Sequence, residues 1–186
     1  MAKRAWTIVW IAAFSSGLLA CGGDRPAVVD GSLPVLRLES DAFEAEGTIP
    51  QLYTCDGSDV SPPLSWSEPP AGTKSLALIV DDVDAPVGTW VHWVLFNIPA
   101  QARALPEAVP ADPIVQGLGE HGSNSWGDLG YGGPCPPQGN PHRYTFRLYA
   151  LDTTLDLGAG ASRADLDRAM EGHILGAGQL VGRYGR

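Results

Sequence analysis

Three polar side chains stand where a strand pattern asks for apolar ones. Asp82 shares the parity of Leu76, Leu78 and Val80; His92 shares that of Trp90, Val94 and Phe96; His142 shares that of Tyr144, Phe146 and Leu148. Side chains two apart on a strand lie on one face. One carboxylate and two imidazoles thus each continue an apolar face, and buried polar groups need partners. A single pocket in which they meet one another, or a bound ligand, satisfies all three. A small anion needs donors, and two imidazoles supply N–H groups and, when protonated, positive charge. Asp82 can accept an imidazole N–H and fix its tautomer, or pair with an amine on the ligand. Affinity for an anion should then fall as pH rises through the histidine range, about 6–7. Acid–base catalysis by the same trio is a second reading. No activated nucleophile accompanies it, and the chain holds no GxSxG, Walker loop or HExxH. No catalytic residue and no cofactor is therefore assigned.

The elements that must carry these residues are strands. Val35 to Leu38 reads as a short strand, and Leu76 to Val80 is an apolar run of strand length. Trp90 to Asn97 is uncharged and rich in aromatic and β-branched residues. His142 to Leu151 alternates, with Arg143, Thr145 and Arg147 opposite Tyr144, Phe146 and Leu148. Loops rich in Pro and Gly separate them at 61–73, 84–88, 99–119 and 127–141. With 23 glycines and 16 prolines in 186 residues, the chain reads as one mainly β domain, not a helical bundle. Ser162-Arg163-Ala164-Asp165 resembles a capping box, so a helix is expected over 163–172, stopped by Gly172. Residues 173–184 are a candidate second helix, weakened by Gly176, Gly178 and Gly182. Trp66, Trp93 and Trp126 are expected in the core. His121 and His173 are expected in local packing or at the surface, and Arg143 in a surface salt bridge. The formal charge of −9 and the absence of any Lys/Arg run exclude phosphate-backbone binding of nucleic acid.

The amino end is an address. Lys3 and Arg4 precede a short apolar stretch ending Leu18-Leu19-Ala20-Cys21. That ending resembles the lipobox of bacterial lipoproteins. It implies a signal peptide over 1–20, cleavage before Cys21 and lipidation of its sulfur, so that acyl chains hold the chain to a membrane. Cleavage removes Lys3 and Arg4 and takes the formal charge from −9 to −11. Residues 21–33 read as a flexible tether and 34–186 as the folded domain. Gly22, where sorting of such lipoproteins would read an Asp, favours the periplasmic face of the outer membrane over the inner membrane. Cys55 and Cys135 remain, and two cysteines in an exported domain pair as a rule. The alternative is two buried free thiols.

Several motifs then fall into order. Asp82-Val83-Asp84-Ala85-Pro86 resembles the DPDAP motif of the phosphatidylethanolamine-binding protein family. Trp90-Val91-His92-Trp93 follows where that family has its Trp/His strand, and Gly133-Pro134-Cys135-Pro136-Pro137 with His142-Arg143-Tyr144 resembles its GxxPP and HRY segments. Tyr53-Thr54-Cys55-Asp56-Gly57, Ser61-Pro62-Pro63-Leu64-Ser65-Trp66 and Gly172-His173-Ile174-Leu175 resemble the bacterial, Raf kinase inhibitor-like branch. The resemblance implies an antiparallel β-sandwich with short helices, one or two of them near the C-terminus. It implies a pocket for phosphate or a phosphoethanolamine-like head group, with Asp82, Trp90, His92, Pro136, Pro137, His142 and Tyr144 at the ligand. Asp84 and Pro86 would support them, although Asp84 equally suits a turn. Val83 replaces a proline of the motif, and Cys135 stands where eukaryotic members have glycine. A metal held by the Asp/His set fits less well, because that pocket takes anions. The family's other implied role is inhibition of a partner kinase or protease, for which no residue here encodes a surface.

Overall fold

The computed structural model describes residues 33–186. The signal peptide, Cys21 and all of the tether before Leu33 lie outside the described residues. Among the described residues, nine strands and one α-helix follow in order, with a 3-10 turn at Gln51–Tyr53 between the first two strands: β1 (Leu38–Glu39), β2 (Leu64–Trp66), β3 (Ser75–Asp82), β4 (Trp90–Pro99), β5 (Ala104–Leu105), β6 (Ile114–Val115), β7 (Gly119–His121), β8 (His142–Leu151), α1 (Arg163–Met170) and β9 (Ile174–Tyr184). The large antiparallel sheet runs β6-β7-β4-β3-β8-β9, and a smaller one runs β1-β2-β5. The chain is mainly β, with two antiparallel sheets and one short α-helix.

Central β3 is buried along its whole length, which its uninterrupted apolar run anticipates. Its two faces feed two cores. Leu76, Leu78 and Val80 join Tyr144, Phe146 and Leu148 of β8 and Leu64, Trp66 and Leu105 of the small sheet. Ala77 and Ile79 join Val94, Phe96 and the helix residues Leu166 and Met170. The helix begins in a complete capping box, with Ser162 and Asp165 serving each other's backbone N–H groups. It ends two residues before Gly172, which takes φ +80°.

Two expectations change. Residues 174–184 form a strand, not a second helix. Gly176, Gly178 and Gly182 share one buried face at a spacing of two. A Cβ on Gly178 would run into the Leu36 carbonyl, and one on Gly182 into Ile49 and Phe43. The glycines thus let the segment before β1 lie flat on β9, where Leu36 N–H donates to the Ala177 carbonyl (2.8 Å). The expected 35–38 strand is reduced to a bridge at Val35 and the two residues of β1.

The second change matters for the site. On β3, Val80 pairs with Trp93 and Asp81 with Val91, so His92 is an extra residue in β4. The bulge turns His92 onto the face of Asp82. Unbroken parity would have kept it with Val94 and Phe96, which lie on the helix side.

Candidate functional site

The ends of β3, β4 and β8 and the loops at 85–87 and 135–137 enclose a cleft of about 230 Å³. Asp82, Trp90, His92, His142, Pro86, Pro136 and Pro137 line it, as do Ala85, Val87, Trp126 and Cys135. Asp82 Oδ2 accepts from His142 Nδ1 (2.7 Å) and its Oδ1 from the Asp84 backbone N–H (2.9 Å). Asp82 thus orients the His142 imidazole, and each oxygen keeps a lone pair with which it could also meet an amine. His92 Nδ1 donates to the Gly132 carbonyl (2.6 Å). Both acceptors lack a proton to give, which fixes the N–H on each Nδ1. Among the described residues, neither Nε2 has a hydrogen-bond partner.

His92 is enclosed between Trp126 and Tyr144, edge to face, at ring separations of 5.0 and 5.1 Å. Burial lowers its pKa from the ordinary histidine value, against a smaller upward pull from the Gly132 carbonyl and Asp82. Tyr144 does not line the cleft. It is sealed beneath His92, with its hydroxyl buried and unpartnered among the described residues, and burial, then the Asp82 charge, raises its pKa. Asp84 faces away from the cleft toward Arg143, accepting from its backbone N–H (2.9 Å), Nε (2.9 Å) and Nη2 (2.7 Å). The guanidinium hydrogen bonds are the main cause of an Asp84 pKa of about 2. Asp84 is thus a clamp that fixes the 84–87 loop to β8, and Arg143 is its surface partner.

The opposite wall, residues 131–137, is fixed to the turn at 53–59. Cys55 and Cys135 form a disulfide with Cα atoms 5.4 Å apart. Gly133 N–H donates to Asp59 Oδ1 (2.7 Å), and the Tyr131 hydroxyl to the Tyr53 carbonyl (2.8 Å). Gly133 can only be glycine here, because a Cβ would strike Asp59 and the Tyr53 carbonyl. Trp66 and Trp93 lie in the core as expected, but Trp126 does not: it is half exposed at the cleft mouth. Sequence reading also missed the Gly132 carbonyl, which no side-chain pattern can reveal. No group of three or more His, Cys, Asp or Glu among the described residues could hold a metal ion.

Residues 39–185 match the family described as phosphatidylethanolamine-binding protein. The chain belongs to this family. A UPF0098 protein of Methanothermobacter thermautotrophicus is 54% identical over 151 residues, covering 81% of this chain and 99% of the relative. A UPF0098 protein of Aquifex aeolicus is 47% identical, covering 82% and 90%. Among solved structures, a phosphatidylethanolamine-binding protein homologue of Chlamydia trachomatis superposes with TM-score 0.74 at 38% identity, covering 82% of this chain and 98% of that one. An Escherichia coli structure described as a new member of the mammalian family gives 0.75 at 31% identity, covering 81% and 98%.

This phosphatidylethanolamine-binding-family domain holds a second buried histidine away from the cleft. His121 is sealed, with Nδ1 donating to the Asp112 carbonyl (3.0 Å) and Nε2 unpartnered among the described residues. Burial lowers its pKa as it does that of His92. Between the lowered folded value and the unfolded histidine value of about 6.5, the unfolded chain binds more protons than the folded one, so stability is lost as pH drops through that window. Urea midpoints measured at pH 7 and pH 5 should show that loss. It should shrink in His121→Asn, which keeps the donor to Asp112. Equal losses in the two proteins would remove His121 as a cause.

Proposed function

We propose that this protein is a lipid-anchored envelope protein that binds a small anionic group, phosphate or phosphoethanolamine-like, between His92 and His142. The observation that carries this reading is the fate of the four ring nitrogens. Each Nδ1 is committed to the protein, which leaves both Nε2 atoms for a ligand in one cleft. Asp82 and the Gly132 carbonyl hold the rings in place before a ligand arrives, which lowers the ordering cost of binding. The formal charge of −11 after cleavage works against long-range attraction of anions, so affinity must come from these local groups. Cys21 supplies the anchor, holding the site at the membrane surface at the periplasmic face of the outer membrane. Membership of this family supports a ligand-binding or modulator role.

Calorimetric titration of the full chain with phosphate and phosphoethanolamine at pH 6 tests the reading. Saturable binding is expected, weakened at least about tenfold in His142→Ala by loss of one charge-assisted hydrogen bond. Equal affinity in His142→Ala would place the anion elsewhere.

A further inference from the structure

We infer that the cleft selects phosphate monoesters, which can carry an O–H, over phosphate diesters, which carry none. The inference rests on the anion-site reading above and narrows its ligand class. It starts from hydrogen-bond bookkeeping at His92. The Gly132 carbonyl can only accept, so His92 Nδ1 always carries a proton. A neutral His92 therefore presents a lone pair, not a donor, at Nε2. An oxygen placed against it must bring its own proton, or the ring must take one up.

The pull toward a charged ring, from the Gly132 and Gly133 backbone and the Asp82 and Asp81 carboxylates, is outweighed by burial. The groups that face it are Asp82 from β3, His142 and Tyr144 from β8, and Trp126 and Gly132 from the loop before β8. The nearest carboxylate, Asp82, has both oxygens engaged by His142 and the Asp84 backbone. Asp81, on the far face of β3, is paired with Arg147 and Arg163. The enclosure by Trp126 and Tyr144 further opposes a charge, in the direction in which burial moves the His92 pKa.

The complex thus needs one proton shared between Nε2 and a ligand oxygen. A monoester supplies it, because its second ionisation lies near pH ~6. A diester is a monoanion without an O–H at any working pH, so His92 must be charged against its surroundings, or its lone pair is left facing an anionic oxygen. An unmatched buried polar contact of this kind separates two ligands by about tenfold to a hundredfold. With its Nδ1–H donating to Asp82, a neutral His142 also presents a lone pair at Nε2, so it adds to the distinction.

Methyl phosphate and dimethyl phosphate are the probes, titrated calorimetrically into the full chain at constant ionic strength. At pH 6, methyl phosphate should bind at least tenfold more tightly. Between pH 6 and pH 8 its affinity should fall, and its advantage should narrow, as the ester loses its proton. His92→Asn keeps a donor for the Gly132 carbonyl but has no atom at the Nε2 position, and should narrow the gap between the two esters; an unchanged ratio would overturn the assignment to His92. Equal affinities in the wild-type protein at pH 6 would overturn the inference. So would methyl phosphate binding more tightly at pH 8, since net charge would then be the discriminator. If neither ester nor inorganic phosphate binds a protein with a native circular dichroism spectrum, the anion-site reading falls and takes this one with it.

Discussion

Asp81→Ala should destabilise the fold by about 3–5 kcal/mol, the cost of breaking a buried ion pair from one side. Asp81 is fully buried on the helix side of β3. Its carboxylate accepts from Arg147 on β8 and, through both oxygens, from Arg163 at the start of α1 (2.8 and 2.7 Å). One carboxylate therefore joins the central strand, its neighbour and the helix that covers them. Arg163 also pairs with Asp167, but Arg147 has no other carboxylate partner among the described residues. Both guanidiniums are about one-quarter exposed, so water recovers part of the loss and the lower half of the range applies. Arg147→Ala and Arg163→Ala should each cost less than Asp81→Ala, because the carboxylate keeps one partner. The double variant Arg147→Ala/Arg163→Ala should cost more than the two singles summed, since it leaves a charge sealed with none. Urea unfolding of the four variants measures this. A loss below 1 kcal/mol for Asp81→Ala would show that the triad specifies geometry without stabilising it. Anion affinity should be unchanged in that variant, because Asp81 points to the opposite face from the cleft.

The residues behind that prediction were only half legible. Period two placed Asp82 and His142 correctly, because β3 and β8 pair without a shift from Ser75–Leu151 to Asp82–Tyr144. Asp81 carries no signal of its own in the sequence, since strand parity cannot supply Arg163 from a helix 82 residues away. His92 reached the cleft for a reason parity does not contain. The bulge opposite Val80 and Asp81 breaks the alternation between Trp90 and Val94. The glycines of β9 read as helix breakers in the sequence, whereas Gly176 and Gly178 admit the segment at Pro34–Leu36 and Gly182 makes room for Ile49 and Phe43. Tyr144 was read as a ligand contact, but a side chain on the correct face can still lie one layer too deep. Trp126 sits in a loop without periodicity, so the sequence offered only the average behaviour of tryptophan.

Replacing both cysteines, as Cys55→Ser/Cys135→Ser, should cost about 4–5 kcal/mol by the loop-closure estimate for a sequence separation of 80. For a domain of this size that is a fall of roughly 10–15 °C in Tm. Free-thiol counting on the denatured wild-type protein without reductant establishes the starting point: no reactive thiol from Cys55 or Cys135 is expected, and two would contradict the bridge. The effect on binding should be much smaller than the effect on stability. Cys135 lies on the cleft wall beside Pro136 and Pro137, so losing the bridge frees that wall in part. The wall keeps its other ties, from Gly133 to Asp59, from Tyr131 to Tyr53 and from the Cys55 backbone N–H to the Pro134 carbonyl (3.2 Å). Neither imidazole depends on the bridge: His142 is held by Asp82 from β3, and His92 by Gly132 three residues before Cys135. Phosphate affinity at a temperature where the variant is fully folded should therefore drop less than about tenfold. A loss of all binding in a folded variant would mean instead that the disulfide, not the hydrogen-bonded turn, holds Gly132 against His92. The bridge would then be part of the binding site itself, and a thiol reductant would switch the protein off without unfolding it.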